Sequence, residues 1–534
     1  MRKMAQFSDM ISFSLLMLIP IFFCSDCDGG KVLVVPLEGS HWVNMNVLIK
    51  ALHDQGHTVD VIRTNNSWYV KENSTYYNSI TIHNSKWMDE EFIKEVIHKM
   101  INHDRGKSSL LSIVRLHMDM FSSLSKVHGM ICEFVTNIFE NEEIMKTLKE
   151  RQYDLILTDP SWGSGILLAH KLQLPVVYNA RWTVSSEGHL EIAPSPLSYI
   201  PMTMSGHTDK MTFFQRVKNV FFYMLMDLPS KLFTEPQYQA LCDKYFHPPV
   251  NFRELLRGAD IWLMRVDFVF EFPRPTMPNV IYIGGFQCKP AKTLPQDLED
   301  FMQTSGDHGV IIMSLGAFVS NLPDDVSEEI AAAFAQLPQK VIWRYTGKRP
   351  STLGNNTLLL DWMPQNDLLG HPKTQVFVAH GGTNGVQEAL YHGIPVVGIP
   401  LFFDQYNNLL RLQERGGAKI LSIATLDRNI LHTAIKEVIN EPSYRLSMQK
   451  LSHLHRDKPV QPLDSALFWI EFVMRHKGAA HLRTESYKLP WYSYYSVDVA
   501  VVLFTVVLIF SLSVFWTVKY LCVMLCCSRK RKTE

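Results

Sequence analysis

Residues 362–405, WMPQNDLLGHPKTQVFVAHGGTNGVQEALYHGIPVVGIPLFFDQ, decide the fold of this chain. A short apolar run over residues 376–379 leads into two adjacent glycines, and an amphipathic segment follows them. A second apolar run, residues 395–399, closes the pattern. The order of strand, glycine turn, helix and strand predicts one βαβ unit of a parallel sheet.

The turn of this unit, at Gly381 and Gly382, suits an anion. Paired glycines let backbone N–H groups approach a ligand closely, and a helix that begins near Thr383 points its positive end at the same place. Such a site suits a phosphate group. The polar and aromatic side chains that flank it are Trp362, Gln365, Glu388, Asp404 and Gln405. An aromatic plate, an anion cradle and a carboxylate for hydroxyls together predict a site for a nucleotide that carries a sugar.

The same stretch closely resembles the donor-binding motif of the UDP-dependent glycosyltransferases. The whole chain, ends included, resembles a membrane-bound animal UDP-glucuronosyltransferase. The resemblance covers nearly all of residues 30–480. It implies an α/β fold of GT-B architecture, in which two doubly wound, Rossmann-like domains face a cleft, with one C-terminal transmembrane helix added.

By this resemblance the second domain binds UDP-glucuronate as co-substrate, and neither a cofactor nor a metal is required. Trp362 would stack on uracil, Gln365 would hydrogen-bond near the ribose, and Glu388 would accept hydrogen bonds from ribose hydroxyls. The complete set of implied donor-binding residues is Ser314, Trp362, Gln365, His380, Gly381, Gly382, Thr383, Asn384, Glu388, Asp404 and Gln405.

The remaining members of this set would hold the diphosphate and the sugar. His380 and the N–H groups of residues 381–384 would bind the diphosphate, and Ser314 would reach it from the loop after an earlier strand. Asp404 and Gln405 would contact hydroxyls of the donor sugar. Helix dipoles, together with His380 if it is protonated, would stabilise the leaving group.

Glycosyl transfer also needs a general base, because the acceptor hydroxyl must lose a proton as it attacks. Histidine titrates near neutral pH, and a neighbouring carboxylate can fix its tautomer. His41 lies in a loop predicted over residues 38–42, after the first strand and before a helix over 46–55. Asp159 follows a strand over 153–158, so both can meet at the carboxyl edge of one sheet. The resemblance makes His41 the base and Asp159 its partner, and one direct displacement would invert the anomeric centre.

At 534 residues the chain is long enough for several domains. We predict an N-terminal acceptor-binding domain over residues 28–286 and a C-terminal UDP-sugar-binding domain over 287–480. A polar helical segment, residues 441–477, is expected to fold back toward the first domain. The net charge of zero gives no electrostatic support for nucleic-acid binding. The three cysteines in the body of the chain favour unpaired thiols over a disulfide framework or a metal site.

The two ends of the chain predict a single-pass type I membrane protein of the endoplasmic reticulum. Residues 1–27 fit a signal peptide, and 499–518 form an uncharged run of about 20 residues that fits a spanning helix. Residues 481–498 would be a luminal juxtamembrane segment, and 519–534 a cytosolic basic tail whose last lysines resemble a dilysine retrieval signal. Glycosylation motifs at Asn65, Asn73 and Asn355 agree with a luminal location.

Several alternatives stay open at this stage. The fold could use another UDP-sugar (glucose, galactose, xylose or N-acetylglucosamine), or the chain could be a non-catalytic, membrane-anchored protein that carries lipophiles. Arg344 is a candidate partner for a glucuronate carboxylate or for the nucleotide. A Phe- and Met-rich helix over 212–228 could lie in the luminal leaflet of the bilayer or line the acceptor pocket. The acceptor is expected to be a small lipophilic hydroxyl compound, and both homo- and hetero-oligomers fit the sequence.

Overall fold

The computed structural model describes residues 29–83, 95, 99–101, 110–316, 319 and 322–530. The predicted signal peptide, most of residues 84–109 and the last four residues lie outside these ranges. The chain divides into two compact units, Met1–Leu482 and Arg483–Glu534. Each unit is described by itself below.

The first unit contains two parallel β-sheets. The strands are β1 Lys31–Val35, β2 Thr58–Thr64, β3 Asn78–Ile82, β4 Leu155–Thr158, β5 Val176–Ala180, β6 Ile261–Met264 and β7 Val280–Tyr282 in the first sheet, and β8 Val310–Ser314, β9 Lys340–Arg344, β10 Thr357–Leu360, β11 Thr374–Ala379, β12 Val396–Gly398 and β13 Ala418–Ile420 in the second. Their spatial orders are β3-β2-β1-β4-β5-β6-β7 and β10-β9-β8-β11-β12-β13. Both orders reverse direction at the first strand, as in doubly wound folds that bind ligands at the carboxyl edge.

Helices connect and cover these strands. They are α1 Ser40–Asp54, α2 Leu110–Glu140, α3 Glu142–Glu150, α4 Ser164–Leu172, α5 Gly188–Ile192, α6 Phe213–Pro229, α7 Glu235–Tyr245, α8 Phe252–Arg257, α9 Gln296–Gln303, α10 Asp324–Ala335, α11 Gln365–Leu369, α12 Thr383–His392, α13 Gln405–Glu414, α14 Arg428–Asn440, α15 Pro442–Arg456, α16 Pro462–His476, α17 Trp491–Tyr494 and α18 Val497–Lys530. A π-helical turn, Ser230–Thr234, joins α6 to α7. Strands β4, β5 and β6 are buried along their whole length, which explains why they appear in the sequence as continuous apolar runs.

Helix α16 belongs to the hydrophobic core of the first sheet although it comes last in this unit. Ala466, Ile470 and Val473 on its buried face lie in the same cluster as Val32 of β1 and Leu263 of β6. The return of the C-terminal segment toward the first domain is therefore observed. The C-terminal domain predicted over residues 287–480 includes α16, but this helix packs in the core of the first sheet. Its position in the chain therefore does not indicate its packing partner.

The start of α1 differs from the prediction. His41 was expected in a loop, but the helix begins at Ser40, with Gly39 as its N-cap at φ 70°. The apolar spacing of Trp42, Met45 and Leu48 continues the helical period back to this point. Strands β3 and β13 were not predicted. Cys132, Cys242 and Cys288 carry free thiols.

The second unit consists mainly of one long helix. Residues Val497–Leu525 of α18, 29 residues with a mean hydropathy of 2.7, are long and apolar enough to cross a membrane. The predicted span over 499–518 lies inside this helix. Residues 519–530, predicted as a tail, continue the helix instead.

Candidate active site

The His41 and Asp159 side chains meet at the carboxyl edge of the first sheet. Strands β1 and β4 are neighbours, with Val35 paired to Thr158, so the residues that follow them emerge side by side. His41 Nδ1 lies 2.6 Å from Asp159 Oδ2. The carboxylate is 2% exposed and also accepts a hydrogen bond from the Ser161 N–H at 2.9 Å. The fold thus brings together the two residues that the sequence suggested, over 118 positions of chain.

The surroundings keep Asp159 ionised. Burial alone would raise the pKa of this carboxyl, but the attraction and hydrogen bond of His41, and the charge of Arg265, lower it below its usual value. An ionised carboxylate accepts the Nδ1–H of the imidazole. Nε2 is then the ring nitrogen that can take up a proton.

Arg265 is a third member of this cluster. Its Nη2 lies 3.1 Å from His41 Nδ1 and 3.5 Å from Asp159 Oδ2. A guanidinium only donates, so when Nδ1–H points to Asp159 the Arg265 side chain interacts with the carboxylate instead. Its Nε is buried and has no hydrogen-bond partner among the described residues.

Arg265 and a second buried arginine, Arg181, were not predicted as part of the site, although a positional signal was present. Asp159, Arg181 and Arg265 are each the first residue after a buried strand, β4, β5 and β6 respectively. The rule that selected Asp159 therefore selects both arginines. Arg181 Nη1 pairs with Glu271 at 2.8 Å, and its Nε lies 3.5 Å from Asp404, a predicted sugar contact.

The anion cradle of the second sheet has the predicted geometry. Helix α12 begins at Thr383, directly after β11, with Gly382 as its N-cap. Gly381 has φ 91°, and a Cβ there would come within 2.6 Å of the Gln405 carbonyl oxygen. Only glycine fits this turn, which leaves the first N–H groups of α12 facing the carboxyl edge of the sheet.

His380, before the turn, is neutral in this structure. Burial is the main cause that lowers its pKa to about 4, with a smaller opposing contribution from Asp404. Its Nδ1 is buried without a hydrogen-bond partner among the described residues. A neutral imidazole can still donate one hydrogen bond to an anion, whereas burial disfavours the protonated form considered for the leaving group.

The side chains that the sequence suggests for the nucleoside form two contacting pairs, Trp362 with Arg344 and Gln365 with Glu388. Trp362 is 64% exposed, and the Arg344 guanidinium lies 5.2 Å from its ring centroid. Arg344 Nη1 also donates to the Gly316 carbonyl. These contacts place Arg344 with the aromatic plate. Gln365 Nε2 donates to Glu388 Oε2 at 2.5 Å, so these two predicted ribose contacts form one unit.

The predicted sugar contacts, Asp404 and Gln405, form hydrogen bonds with protein groups, as does the predicted phosphate contact Ser314. Asp404 Oδ2 accepts from Asn408 at 3.0 Å and from the Thr383 hydroxyl at 3.3 Å. Gln405 Oε1 accepts from the backbone N–H groups of residues 401 and 402, which leaves its amide nitrogen to donate. Ser314, at the end of β8, accepts from the Gly316 N–H at 3.3 Å. All three side chains lie at the carboxyl edge of the second sheet.

Glu388 should make UDP binding depend on pH. Burial, more than any other cause, raises its pKa to about 7, so the carboxyl is partly protonated at neutral pH. An ionised carboxylate accepts hydrogen bonds from ribose hydroxyls more strongly than a neutral carboxyl does, and we expect the affinity for UDP to rise about tenfold between about pH 6 and 8. Without UDP, the stability that this raised pKa contributes is present at low pH and is lost as the pH rises through about 7.

Calorimetric titration with UDP across this pH range measures the effect. The Glu388→Gln variant is the control, because it retains the shape of the side chain but cannot ionise. A slope of affinity against pH that is the same in both proteins would contradict the assignment of Glu388.

Comparison with solved structures defines the fold. The glycosyltransferase VinC in complex with DTDP matches with a TM-score of 0.55, over 84% of this chain and 100% of that one, at 17% identity. The spinosyn forosaminyltransferase SpnP matches with a TM-score of 0.54, over 84% and 99% of the two chains, also at 17% identity. Two parallel sheets whose carboxyl edges carry the site form the GT-B fold, as predicted.

Sequence relatives then define the family. Residues 30–533 match the family described as "UDP-glucoronosyl and UDP-glucosyl transferase". UDP-glucuronosyltransferase 2B13 of Oryctolagus cuniculus is 44% identical over 494 residues, 91% of this chain and 92% of the relative. UDP-glucuronosyltransferase 2A2 of Mus musculus is 42% identical over 476 residues, 88% and 89% of the two chains. The chain belongs to this family and is a glycosyltransferase.

Proposed function

We propose that the chain transfers a glucuronosyl group from UDP-glucuronate to a hydroxyl of small lipophilic acceptors, with inversion. The observation that carries the proposal is the 2.6 Å contact between His41 and Asp159. His41 lies on α1, and this helix also contacts the second domain through Asn44 and Asn384. The choice of sugar is supported by the relatives named UDP-glucuronosyltransferases at 42% and 44% identity.

In the proposed mechanism His41 Nε2 takes the proton of the acceptor hydroxyl. As that proton leaves, the oxygen forms a bond to the anomeric carbon, and the bond from this carbon to the UDP oxygen breaks. The positive end of α1 opposes the imidazolium that forms, and the ionised Asp159 offsets this effect. N–H groups at the start of α12 stabilise the charge that develops on the departing diphosphate. A single displacement converts an α-linked donor into a β-glucuronide.

A panel of UDP-sugars tests the proposal. The full-length protein in microsomes is incubated with UDP-glucuronate, UDP-glucose, UDP-galactose, UDP-xylose or UDP-N-acetylglucosamine, and with a phenol or a steroid. We expect a β-glucuronide from UDP-glucuronate and little product from the others. If product formed only with another UDP-sugar, the donor named in the proposal would be wrong, whereas the role of His41 as the base would not be contradicted. Absence of any product, with UDP bound, would favour the non-catalytic lipophile carrier.

We also propose that the chain is a type I protein of the endoplasmic reticulum membrane with its two sheets in the lumen. The membrane-length helix α18 and the exposed side chains of Asn65, Asn73 and Asn355 support this orientation. Digestion with endoglycosidase H should increase the electrophoretic mobility of the protein. A luminal location would be contradicted if digestion left the mobility unchanged and the variant with all three asparagines replaced by glutamine migrated at the same position.

Helix α6 supports a second contact with lipid, outside α18. Its inner face is fixed by Asn219, which is fully buried and bonds to the Met202 N–H at 2.7 Å and the Ile200 carbonyl at 2.8 Å. Its outer face and the π-helical turn expose large apolar side chains, each 41–81% accessible: Phe213, Phe214, Val217, Val220, Phe221, Met224, Leu228, Leu232 and Phe233. A soluble helix normally buries such a stripe.

Four exposed cations, Lys210, Arg216, Lys218 and Lys231, accompany this apolar stripe. An apolar face with flanking lysine and arginine is the pattern of a helix that lies in a bilayer interface, where the cations meet lipid phosphates. We therefore propose that the outer face of α6 contacts lipid. Of the two locations considered for this helix, the exposed apolar face and its cations favour the bilayer interface over the acceptor pocket.

Photo-crosslinking in proteoliposomes measures this contact. A benzophenone amino acid at Phe221, which is 59% exposed, should give a lipid adduct in the full-length protein. Leu446 of α15, 62% exposed, is the matched control and should give none. Cross-linked dimers at Phe221, or equal lipid labelling at both positions, would overturn the proposal.

A further inference from the structure

A pair of asparagines links the base helix to the donor helix. Asn44 lies one turn after His41 on α1 and is 3% exposed. Its Nδ2 donates a hydrogen bond of 2.7 Å to Oδ1 of Asn384, the second residue of α12. The two residues are 340 positions apart in the chain. The contact therefore joins the two halves of the site directly.

This hydrogen bond fixes which way the Asn384 amide faces. A primary amide has one acceptor oxygen and one NH2 donor group, which lie in the same plane at opposite ends of the group. A diphosphate oxygen only accepts. Because Asn44 satisfies Oδ1 of Asn384, the NH2 group of Asn384 is turned away from Asn44 and is left to donate elsewhere.

A second contact on α12 prevents the helix from rotating. Gln387, one turn after Asn384, is 1% exposed, donates to the Arg265 carbonyl at 2.6 Å and accepts from the Gly285 N–H at 2.9 Å. Two buried contacts one turn apart hold the helix in one register against the first domain. The amide pair of Asn44 and Asn384 is therefore in a defined position relative to His41.

Asn44 also carries an unsatisfied atom. Its Oδ1 is buried and has no hydrogen-bond partner among the described residues. A buried acceptor without a partner is unfavourable, and a ligand hydroxyl at this point would remove the penalty. This observation points independently to a ligand-bound state in which Asn44 faces the donor.

We propose that Asn44 is a positioning residue for the donor: it holds the Asn384 amide with its NH2 group toward the diphosphate and ties the base helix to the donor helix. The inference rests on the proposed function in one respect, the binding of the diphosphate by Asn384. Removal of the Asn44 amide lets the Asn384 amide turn over, so donor binding weakens although His41 and Asp159 are unchanged.

The test compares Asn44→Ala, Asn44→Asp, Asn384→Ala and the Asn44→Ala/Asn384→Ala double variant in the full-length protein. UDP titration gives Kd, and steady-state kinetics give kcat and the donor KM. Loss of one hydrogen bond should raise the Kd for UDP and the donor KM about tenfold in Asn44→Ala. The double variant should bind UDP no more weakly than Asn384→Ala alone, since both changes remove the same function.

Asn44→Asp distinguishes positioning from packing. Aspartate has nearly the same shape but only accepts, so Asn384 must turn its NH2 group toward it and away from the diphosphate, and a negative charge is added nearby. Positioning therefore predicts weaker UDP binding in Asn44→Asp than in Asn44→Ala. A packing role predicts the opposite order, because aspartate fills the space that alanine leaves.

His53→Ala, at an exposed position in the last turn of the same helix, is the control and should bind UDP with unchanged Kd. If Asn384→Ala leaves the Kd unchanged, the diphosphate assignment in the proposed function is wrong. If Asn384→Ala weakens binding but Asn44→Ala and Asn44→Asp do not, the positioning role of Asn44 is wrong. Thermal unfolding checks that each variant folds, and Asn44→Asp alone decides the question where Asn44→Ala does not fold.

Discussion

Replacement of His41 by alanine should lower kcat about a thousandfold, a loss typical of a removed general base. The Kd for UDP should change less than about twofold, since the donor cradle lies on the second sheet. The physical reason is the arrangement at the first sheet. Asp159 contacts Nδ1 at 2.6 Å, so Nε2 is the ring nitrogen left to accept a proton. In the proposed mechanism, alanine leaves the acceptor hydroxyl without a base.

Initial rates with saturating UDP-glucuronate measure the change in kcat, and a UDP titration measures the change in Kd. His53→Ala is the control, because His53 is an exposed histidine in the last turn of the same helix α1. Turnover of the His41→Ala protein near the rate of the unmodified enzyme would remove His41 from the role of base. Asp159→Asn should also reduce kcat, since an amide can hold the wrong tautomer of His41.

Replacement of Gly381 by alanine should abolish measurable UDP binding, a loss of at least about a hundredfold in affinity, or about 2.7 kcal/mol. Gly381 has φ 91°, and a Cβ at this position would approach the Gln405 carbonyl oxygen to 2.6 Å and the Leu409 side chain to 2.7 Å. Neither the backbone oxygen nor the packed leucine can move without displacing α13 or the turn itself. The N–H groups at the start of α12 would then lose their alignment.

Gly56→Ala is the control for Gly381→Ala, because it introduces backbone strain without a steric clash of the new Cβ. Gly56 has φ 92°, almost the same as Gly381, but a Cβ there has no atom within 4 Å. This variant should lose about 1 kcal/mol of stability and retain UDP affinity. Equal UDP affinities in the two variants would show that the turn at Gly381 does not form the nucleotide site.

Much of the site could be predicted because parallel strands impose a simple rule. Residues that follow buried strands meet at one edge, and this rule selects Asp159, which the structure places beside His41. Applied once more, it would have identified Arg181 and Arg265. The helical position of His41 was also accessible, since the spacing of Trp42, Met45 and Leu48 extends the period back to it.

Other features could not be read from local sequence. Asn44 and Asn384 are 340 positions apart in the chain, and their contact depends on how the two sheets are placed against each other. The pKa of about 7 for Glu388 and of about 4 for His380 follows from burial, which only the packed structure defines. The engagement of Gln405 with the backbone of residues 401 and 402 depends on the conformation of a short loop.

The position of α16 has a consequence for biosynthesis. Because Ala466, Ile470 and Val473 complete a core that also contains Val32, the core of the first sheet cannot be completed until the ribosome has made α16. Domains usually fold in the order of synthesis, but here the second sheet can finish before the first. A premature stop codon between residues 440 and 462 would therefore damage the half of the enzyme encoded at the opposite end of the message.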